Sequence, residues 1–447
     1  MDVMSIVDDL RSTQSTPVLT PTEAGYDEAA RNWGPPAAPD VLVRPTTPEE
    51  VGAALRWAAA AGVDVAVRSG GHGSWAPVPG GLLVDLAAFT RVDVGDDDVV
   101  RVGGGAVWGD VAEALAPHGL VLSAGDTRSV GVGGSTLGSG VGWLVRSVGL
   151  AADQLVGVQL VTADGSVVKA SDDENPELFS ALRGGGGNFG VATRLDFRAT
   201  RLGNVVFGTA PVAGDDLPAT ILGVRDAMRA APRELVVTLV SLPPMGPGTA
   251  PARLLELLWA GDDEDSARAA LAAVLASPGV GAAEVDTVSY GSTLSEPPEG
   301  PPGPPPRRTG SNGVFRELSA VTAGRAAAAL AAHPATILAV RFLGGAFGDV
   351  PKDATALAWR DAEALVTWIA MLPPDASDDD LARVRDVWAE VGDGAYAVCG
   401  NFTSEQGPDV VERMYPPETL DRLRAVKRRW DPENLFRRNH NIAPAQG

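Results

Sequence analysis

The sequence predicts an α+β fold: a first unit of mixed strands and helices, then an antiparallel sheet with covering helices. Three observations carry this. Up to about residue 200, short β-branched runs alternate with helical patterns and close on turn signals. From about Gly203 to Ala395, longer strand-like apolar runs are separated by helical patterns. The chain then ends in one amphipathic helix and an aromatic-polar tail.

The elements follow in order. Asp40–Pro45 (DVLVRP) reads as a strand. Thr47–Gly62 reads as a helix, with Thr47 as its cap, Glu49 and Glu50 in its first turn and Gly62 at its end. VDVAVRSGG is a strand running into glycines. GGLLVDLAAF, VVRVGGGAVWGDV and LVGVQLVTADGSVV have strand composition, the last around an Asp164-Gly165 turn. A helix fits between Trp108 and Ala116. Beyond Gly203, strands are expected at Glu234–Leu242, Ala252–Gly261 and Ala335–Gly348, and helices at Asp265–Ala276, Ala320–Ala332 and Asp380–Val391. Ser295–Gly310 is so rich in Pro and Gly that it reads as an irregular, exposed connector. Pro417–Trp430 reads as an amphipathic helix stopped by Asp431-Pro432.

Composition removes several functions. A net charge of −21 over 447 residues argues against nucleic-acid or anionic-membrane partners, which need clustered Lys and Arg. The single cysteine, Cys399, excludes an internal disulfide or a thiolate metal cluster, and no His, Cys or carboxylate cluster has ligand spacing, so no metal is expected. No apolar run is long enough to cross a bilayer, and the acidic opening MDVMSIVDDL is unlike a secretory signal. The expectation is a soluble, cytoplasmic monomer or homodimer.

Three glycine clusters stand out: Gly70-Gly71, Ser129–Trp143 (SVGVGGSTLGSGVGW) and Arg183–Gly190 (RGGGGNFG). Glycines beside strands let backbone N–H groups approach a phosphate closely. None has the strand, G-x-G-x-x-G and helix context of a Rossmann site. Three separate clusters, one carrying a histidine, fit a large pyrophosphate ligand held by loops.

VRSGGHGSW, SAGDTRSVGVGGSTLGSGVGWLVRSVGLAADQLVGVQLVTADG, ENPELFSALRGGGGNFGVAT and RWDPENLFRRNHNI together resemble the vanillyl-alcohol oxidase superfamily. The likeness is to its berberine bridge enzyme branch, in particular to bacterial members of the 6-hydroxy-D-nicotine oxidase type. It covers roughly the first 200 and last 50 residues. It implies a PCMH-type, two-subdomain FAD-binding domain at 1–203, a substrate-binding domain at 204–395, and a segment at 396–447 that returns to the first domain.

The resemblance also assigns residues. His72 is expected to bond covalently to the 8α-methyl of FAD. Many relatives add a link from a cysteine in G-x-C-x-x-V-G-x-G-G; Thr127 stands there, so a single attachment is expected. Arg68, Ser69, Gly70, Gly71, Gly73 and Ser74, with Val130, Gly131, Gly133, Gly134 and Thr136, are expected along the pyrophosphate. Gly138, Gly140 and Gly142 continue that wall. Asp153 and Val191 match positions near the adenosine and flavin. Asn439 and Asn441 return to the flavin from the C-terminus.

On the substrate side, strand alternation puts Ile337, Ala339, Arg341 and Leu343 on one face. Relatives carry ionisable groups where Ala339 and Arg341 stand, and neither is a base at neutral pH. Arg341 is expected to bind an anionic substrate group or to face negative charge on the flavin; a salt bridge to a neighbouring carboxylate is equally open. Asn401 is expected beside the flavin and Tyr396 at the active site, in a stretch with three residues more than the Y-x-N-[YF] pattern of relatives.

The activity implied is FAD-dependent oxidation of a small organic substrate (an alcohol, an amine or a secondary-metabolite intermediate), with hydride passing to flavin N5 and then electrons to O₂. A dehydrogenase, a biosynthetic cyclase or monooxygenase, and a non-catalytic flavin-binding protein remain open.

Overall fold

A computed structural model describes residues 3–33, 37–73, 79–244, 251–296 and 306–445. Three strands, Val41–Val43, Leu82–Asp85 and Val65–Arg68, form a parallel sheet in that spatial order. Parallel strands need crossovers, and the helix Pro48–Ala61 supplies the one between the two outer strands. Its ends are those the sequence dictates: Thr47 accepts from Glu50 N, and Gly62 takes the left-handed conformation (φ 66°) that a β-carbon would resist.

Beside it lies a five-stranded antiparallel sheet ordered Val92–Val94, Val99–Gly103, Val191–Arg198, Leu155–Val161, Val167–Ala170. The Asp164-Gly165 turn joins its last two strands in sequence, with Gly165 at φ 79°.

A seven-stranded antiparallel sheet follows, ordered Glu284–Ser289, Asn204–Pro211, Ala252–Trp259, Leu235–Leu242, Thr336–Phe342, Ala364–Leu372, Arg307–Phe315. Alternation splits its side chains cleanly. Val237, Leu255, Leu338 and Val340 bury against the helices Leu217–Ala230, Glu264–Leu275, Ala320–Ala332 and Asp378–Gly392. Val236 and Leu258, on the other face, join the core built around Trp108 and Phe197. That second face carries Thr238, Glu256 and Arg341, which the register sets side by side.

One expectation fails. Part of the Pro-rich stretch read as irregular is regular: Arg307–Gly310 opens the nine-residue strand Arg307–Phe315, paired along its length with Ala364–Leu372. No proline lies between Arg307 and Phe315, so every N–H there can join the ladder. Residues 297–305 of that stretch lie outside the described residues.

Two polar latches tie these layers together. Arg146 is buried and, among the described residues, gives its guanidinium to main-chain carbonyls alone: Leu235 at 2.9 Å, Ala231 at 3.1 Å, Met228 at 3.3 Å, and Leu343. The C-terminal helix Pro417–Trp430 is held by Lys427, whose Nζ donates to Asn188 O (2.8 Å), Phe436 O (2.9 Å) and Asp431 Oδ2 (2.6 Å). Asp431 in turn accepts from Leu435 N and Phe436 N, and Asn188 bonds both His440 O and Ile442 N. Among the described residues no helix is long and apolar enough to cross a membrane.

Lys427 and Asp431 are both fully buried. Removing one member strands the other's charge, at a cost of roughly 3–5 kcal/mol. Lys427→Met should lower the free energy of unfolding by that amount in urea denaturation, whereas Arg428→Met, in the same helix turn, should leave it nearly unchanged.

Candidate functional site

The strand Val65–Arg68 delivers the chain into Ser69-Gly70-Gly71-His72. Gly70 meets Gly131 backbone to backbone: a β-carbon on Gly70 would lie 2.3 Å from Gly131 N, and one on Gly131 would lie 2.1 Å from Gly70 N. The first two glycine clusters are therefore one surface. Gly71 turns at φ 75°, and His72 emerges against Ser129, Nε2 to Oγ 3.1 Å, with the Trp33 ring tilted over it at 4.4 Å. Burial depresses the imidazole to about 4, against an opposing pull from Asp126. His72 is thus neutral at pH 7.

The Ser129–Trp143 cluster is not a plain loop. Val132–Gly138 forms a short helix, with Gly133 and Gly134 in its first turn. Gly138 is required by Asn401, whose Oδ1 would sit 2.0 Å from a β-carbon there; Asn401 Nδ2 donates to Ser135 O (2.8 Å) and Ser139 Oγ (3.0 Å). Asn401 therefore lies against the glycine wall, with its amide engaged by that wall. Gly140 abuts Ala151, and Gly142 packs on Ala124 O.

Other assigned residues carry structural loads. Arg68 bonds Asp85 (2.7 Å) and the carbonyls of Ala29 and Arg31, and Ser69 Oγ donates to Gly104 O. Asp153 forms a buried two-bond ion pair with Arg360 (2.6 and 2.8 Å). Val130 is half-buried, and Val191 is buried at the start of its strand. Tyr396 donates to Asp361 (2.7 Å) under the Arg316 guanidinium; burial, then this bond, push its hydroxyl above the usual phenol range. The fold thus commits Tyr396 to a polar cluster with Asp361 and Arg316. Gly73 follows His72 directly, and Ser74 lies outside the described residues.

Two features fit a large dinucleotide. At Gly134, in the first turn of the short helix, nothing lies within 4 Å of where a β-carbon would stand, so that part of the surface is open to a ligand. Thr136 Oγ1, in the short helix of that surface, and Asn439 Oδ1 and Asn441 Oδ1, in the C-terminal tail, are buried without a hydrogen-bond partner among the described residues, and buried polar atoms are rarely left so.

Across from His72 stands the sheet face. Arg341 pairs with Asp126 (2.8 Å), donates to Thr367 Oγ1 (3.1 Å) and lies over the Phe402 ring. Of the roles the sequence left open, the ion pair is the one the fold displays. Burial would raise the Asp126 carboxyl; Arg341 overcomes this and holds it below the usual range. Thr127, in the place of a cysteine, hydrogen-bonds Asp126 Oδ1 (2.9 Å). Glu256 was missed. It sits opposite Thr238, as Arg341 does on the other side. Burial, then the Asp126 charge, raise its carboxyl to about 7 despite Arg341. A lone carboxylate in the apolar run ARLLELLWAG was the available signal.

Residues 39–171 match the FAD binding domain family, and residues 400–443 match the berberine and berberine-like family. The (R)-6-hydroxynicotine oxidase of Paenarthrobacter nicotinovorans is 31% identical over 464 residues, covering 96% of each chain.

The chain belongs to the FAD-linked oxidoreductases of the berberine bridge enzyme branch.

This FAD-dependent oxidoreductase shares its fold with the crystal structure of 6-hydroxy-D-nicotine oxidase from Arthrobacter nicotinovorans (26% identity, TM-score 0.85, 97% of this chain and 98% of that one). Chitooligosaccharide oxidase is similar at 22% identity and TM-score 0.87, covering 99% and 100%. Glucooligosaccharide oxidase from Acremonium strictum, described with a 6-S-cysteinyl, 8α-N1-histidyl FAD, is similar at 22% and 0.84, covering 99% and 100%.

Because the native Glu256 carboxyl titrates near 7, above its usual value, folding favours its protonated form. That contribution is fully present below about pH 4.5 and is lost as pH rises through about 7. Glu256→Gln should therefore raise the melting temperature relative to wild type at pH 8, by on the order of 1 kcal/mol of stability, and the gain should vanish at pH 4. Paired thermal melts at the two pH values check this.

Proposed function

We propose that this oxidoreductase is an oxidase with FAD attached once, through His72. Its substrate is a small organic alcohol or amine, and its electron acceptor is O₂. The observation that carries the reading is the neutral imidazole of His72 at the tip of the fused glycine surface. A neutral imidazole has the lone pair a covalent attachment needs; a protonated one has none. Thr127 offers no thiol for a second bond.

When bound, FAD supplies a two-electron acceptor for a hydride from substrate carbon. The chain's own residues do the rest. The backbone of Gly70, Gly71 and Gly131 to Gly134 would hold the pyrophosphate, with Thr136, Gly138, Gly140 and Gly142 continuing the same wall. Asn439 and Asn441 would offer their buried side-chain oxygens to donors of FAD. Asp153 and Val191 would support the adenosine and flavin through the backbone they fix. Glu256, with a carboxyl near 7, accepts the substrate's O–H or N–H proton, the role that Ala339 and Arg341 do not fill. Arg341, held by Asp126 and Thr367, donates its remaining N–H groups to an anionic substrate group. The alcohol and amine classes follow those named for the relatives, nicotine-type and oligosaccharide oxidases.

Purified protein should be denatured in acid and run on a gel. Flavin fluorescence should stay on the wild-type band and be absent from His72→Ala; equal fluorescence in both, or none in either, overturns the single-histidine attachment. In a screen scored by flavin bleaching, Arg341→Met should raise KM at least about tenfold for an anionic substrate; unchanged KM and kcat would remove Arg341 from substrate binding.

A further inference from the structure

The hydrogen bond on His72 does not end at Ser129. Ser129 Oγ lies 3.1 Å from His72 Nε2 and donates to Glu296 Oε2 at 3.0 Å. A hydroxyl has one proton. Spent on Glu296, it leaves the Ser129 oxygen only an acceptor's role toward the imidazole. Nε2 must then carry the ring proton, and Nδ1 holds the free lone pair. The polarity of the chain Glu296, Ser129, His72 thus selects one tautomer.

Glu296 is fixed where it can do this. The isolated parallel bridge of Thr127 with Ser295 pins it through Ser295 N to Asp126 O (2.8 Å) and Arg128 N to Ser295 O (3.0 Å). The stretch that in relatives carries a second flavin link here holds, through Thr127, the start of the Pro-rich connector against the anchor. The connector's first residues so gain a role that composition did not reveal.

We propose that Ser129 and Glu296 are positioning residues for covalent flavin attachment, directing His72 Nδ1 as the nucleophile and bearing the positive charge that alkylation places on the ring. The proposal rests on the attachment reading above. In the net reaction one Nδ1–C bond forms at the 8α-carbon and one C–H bond there breaks. The imidazole gives up one N–H proton through Ser129 toward Glu296. The two hydrogens and two electrons released are taken up by O₂ as H₂O₂. Glu296 is the proton's acceptor and the ring's counter-charge; its tautomer-setting and charge-stabilising part, not the proton acceptance, parallels the carboxylate behind the histidine of the Ser-His-Asp arrangement.

The test needs no substrate. Wild type, Ser129→Ala, Glu296→Gln, Glu296→Asp and His72→Ala would be produced with limiting flavin, incubated with FAD in air, and sampled over time. Each sample is split: acid-precipitated flavin fluorescence on the gel band reads the covalent fraction, and flavin retained on desalting reads total binding. Ser129→Ala and Glu296→Gln should slow covalent attachment at least about tenfold while total binding stays near wild type, and Glu296→Asp should recover part of the rate. Attachment within about twofold of wild type in both variants overturns the relay. So does a loss of covalent flavin that tracks a loss of total binding, which marks a merely structural role. Wild type without any covalent flavin overturns the attachment reading and the relay with it, an outcome distinct from normal wild-type attachment with indifferent variants.

Discussion

The contact between Gly70 and Gly131 is the constraint on which the rest of the structure turns. Two backbone segments, 61 residues apart in sequence, approach more closely than any β-carbon allows. One follows a strand of the parallel sheet; the other leads into a short helix beside the antiparallel sheet. Their meeting fuses two glycine clusters into one surface and throws His72 out beside Ser129. Substituting either glycine would push these segments apart, and every distance around the imidazole would change with them.

Electrostatics then organise the facing wall. The seven-stranded sheet presents Glu256, Thr238 and Arg341 in a row, and the loop holding Ser129 presents Asp126 to that row. Asp126 serves two masters: it neutralises Arg341, and its field raises both His72 and Glu256 against or along with burial. A single carboxylate so couples His72 to Glu256 across the interface of the two layers.

Much of the first half was readable because its signals are local. The Thr47 cap, the Gly62 stop and the Asp164-Gly165 turn fix their elements with neighbouring residues alone. The Val132–Gly138 helix was not readable: three glycines in seven residues oppose helix propensity, and close packing against Gly70 and Asn401 overrides it. In the second half, strands such as Asn204–Pro211 and Glu284–Ser289 alternate weakly and depend on their neighbours for pairing. The glycine wall was legible as a motif. What its neighbours do was not, since the duties of Asp153, Asn401 and Tyr396 are set by partners more than 30 residues away.

The Arg146 latch has a consequence for descent. All four of its acceptors are main-chain carbonyls, so the docking of the large sheet reads the path of the backbone and ignores the residues along it. Side chains on that sheet can be exchanged over generations without loosening the joint. A lineage built this way keeps one chassis for its cofactor while the surface that meets the substrate drifts, and enzymes with unlike appetites can share nearly the same frame.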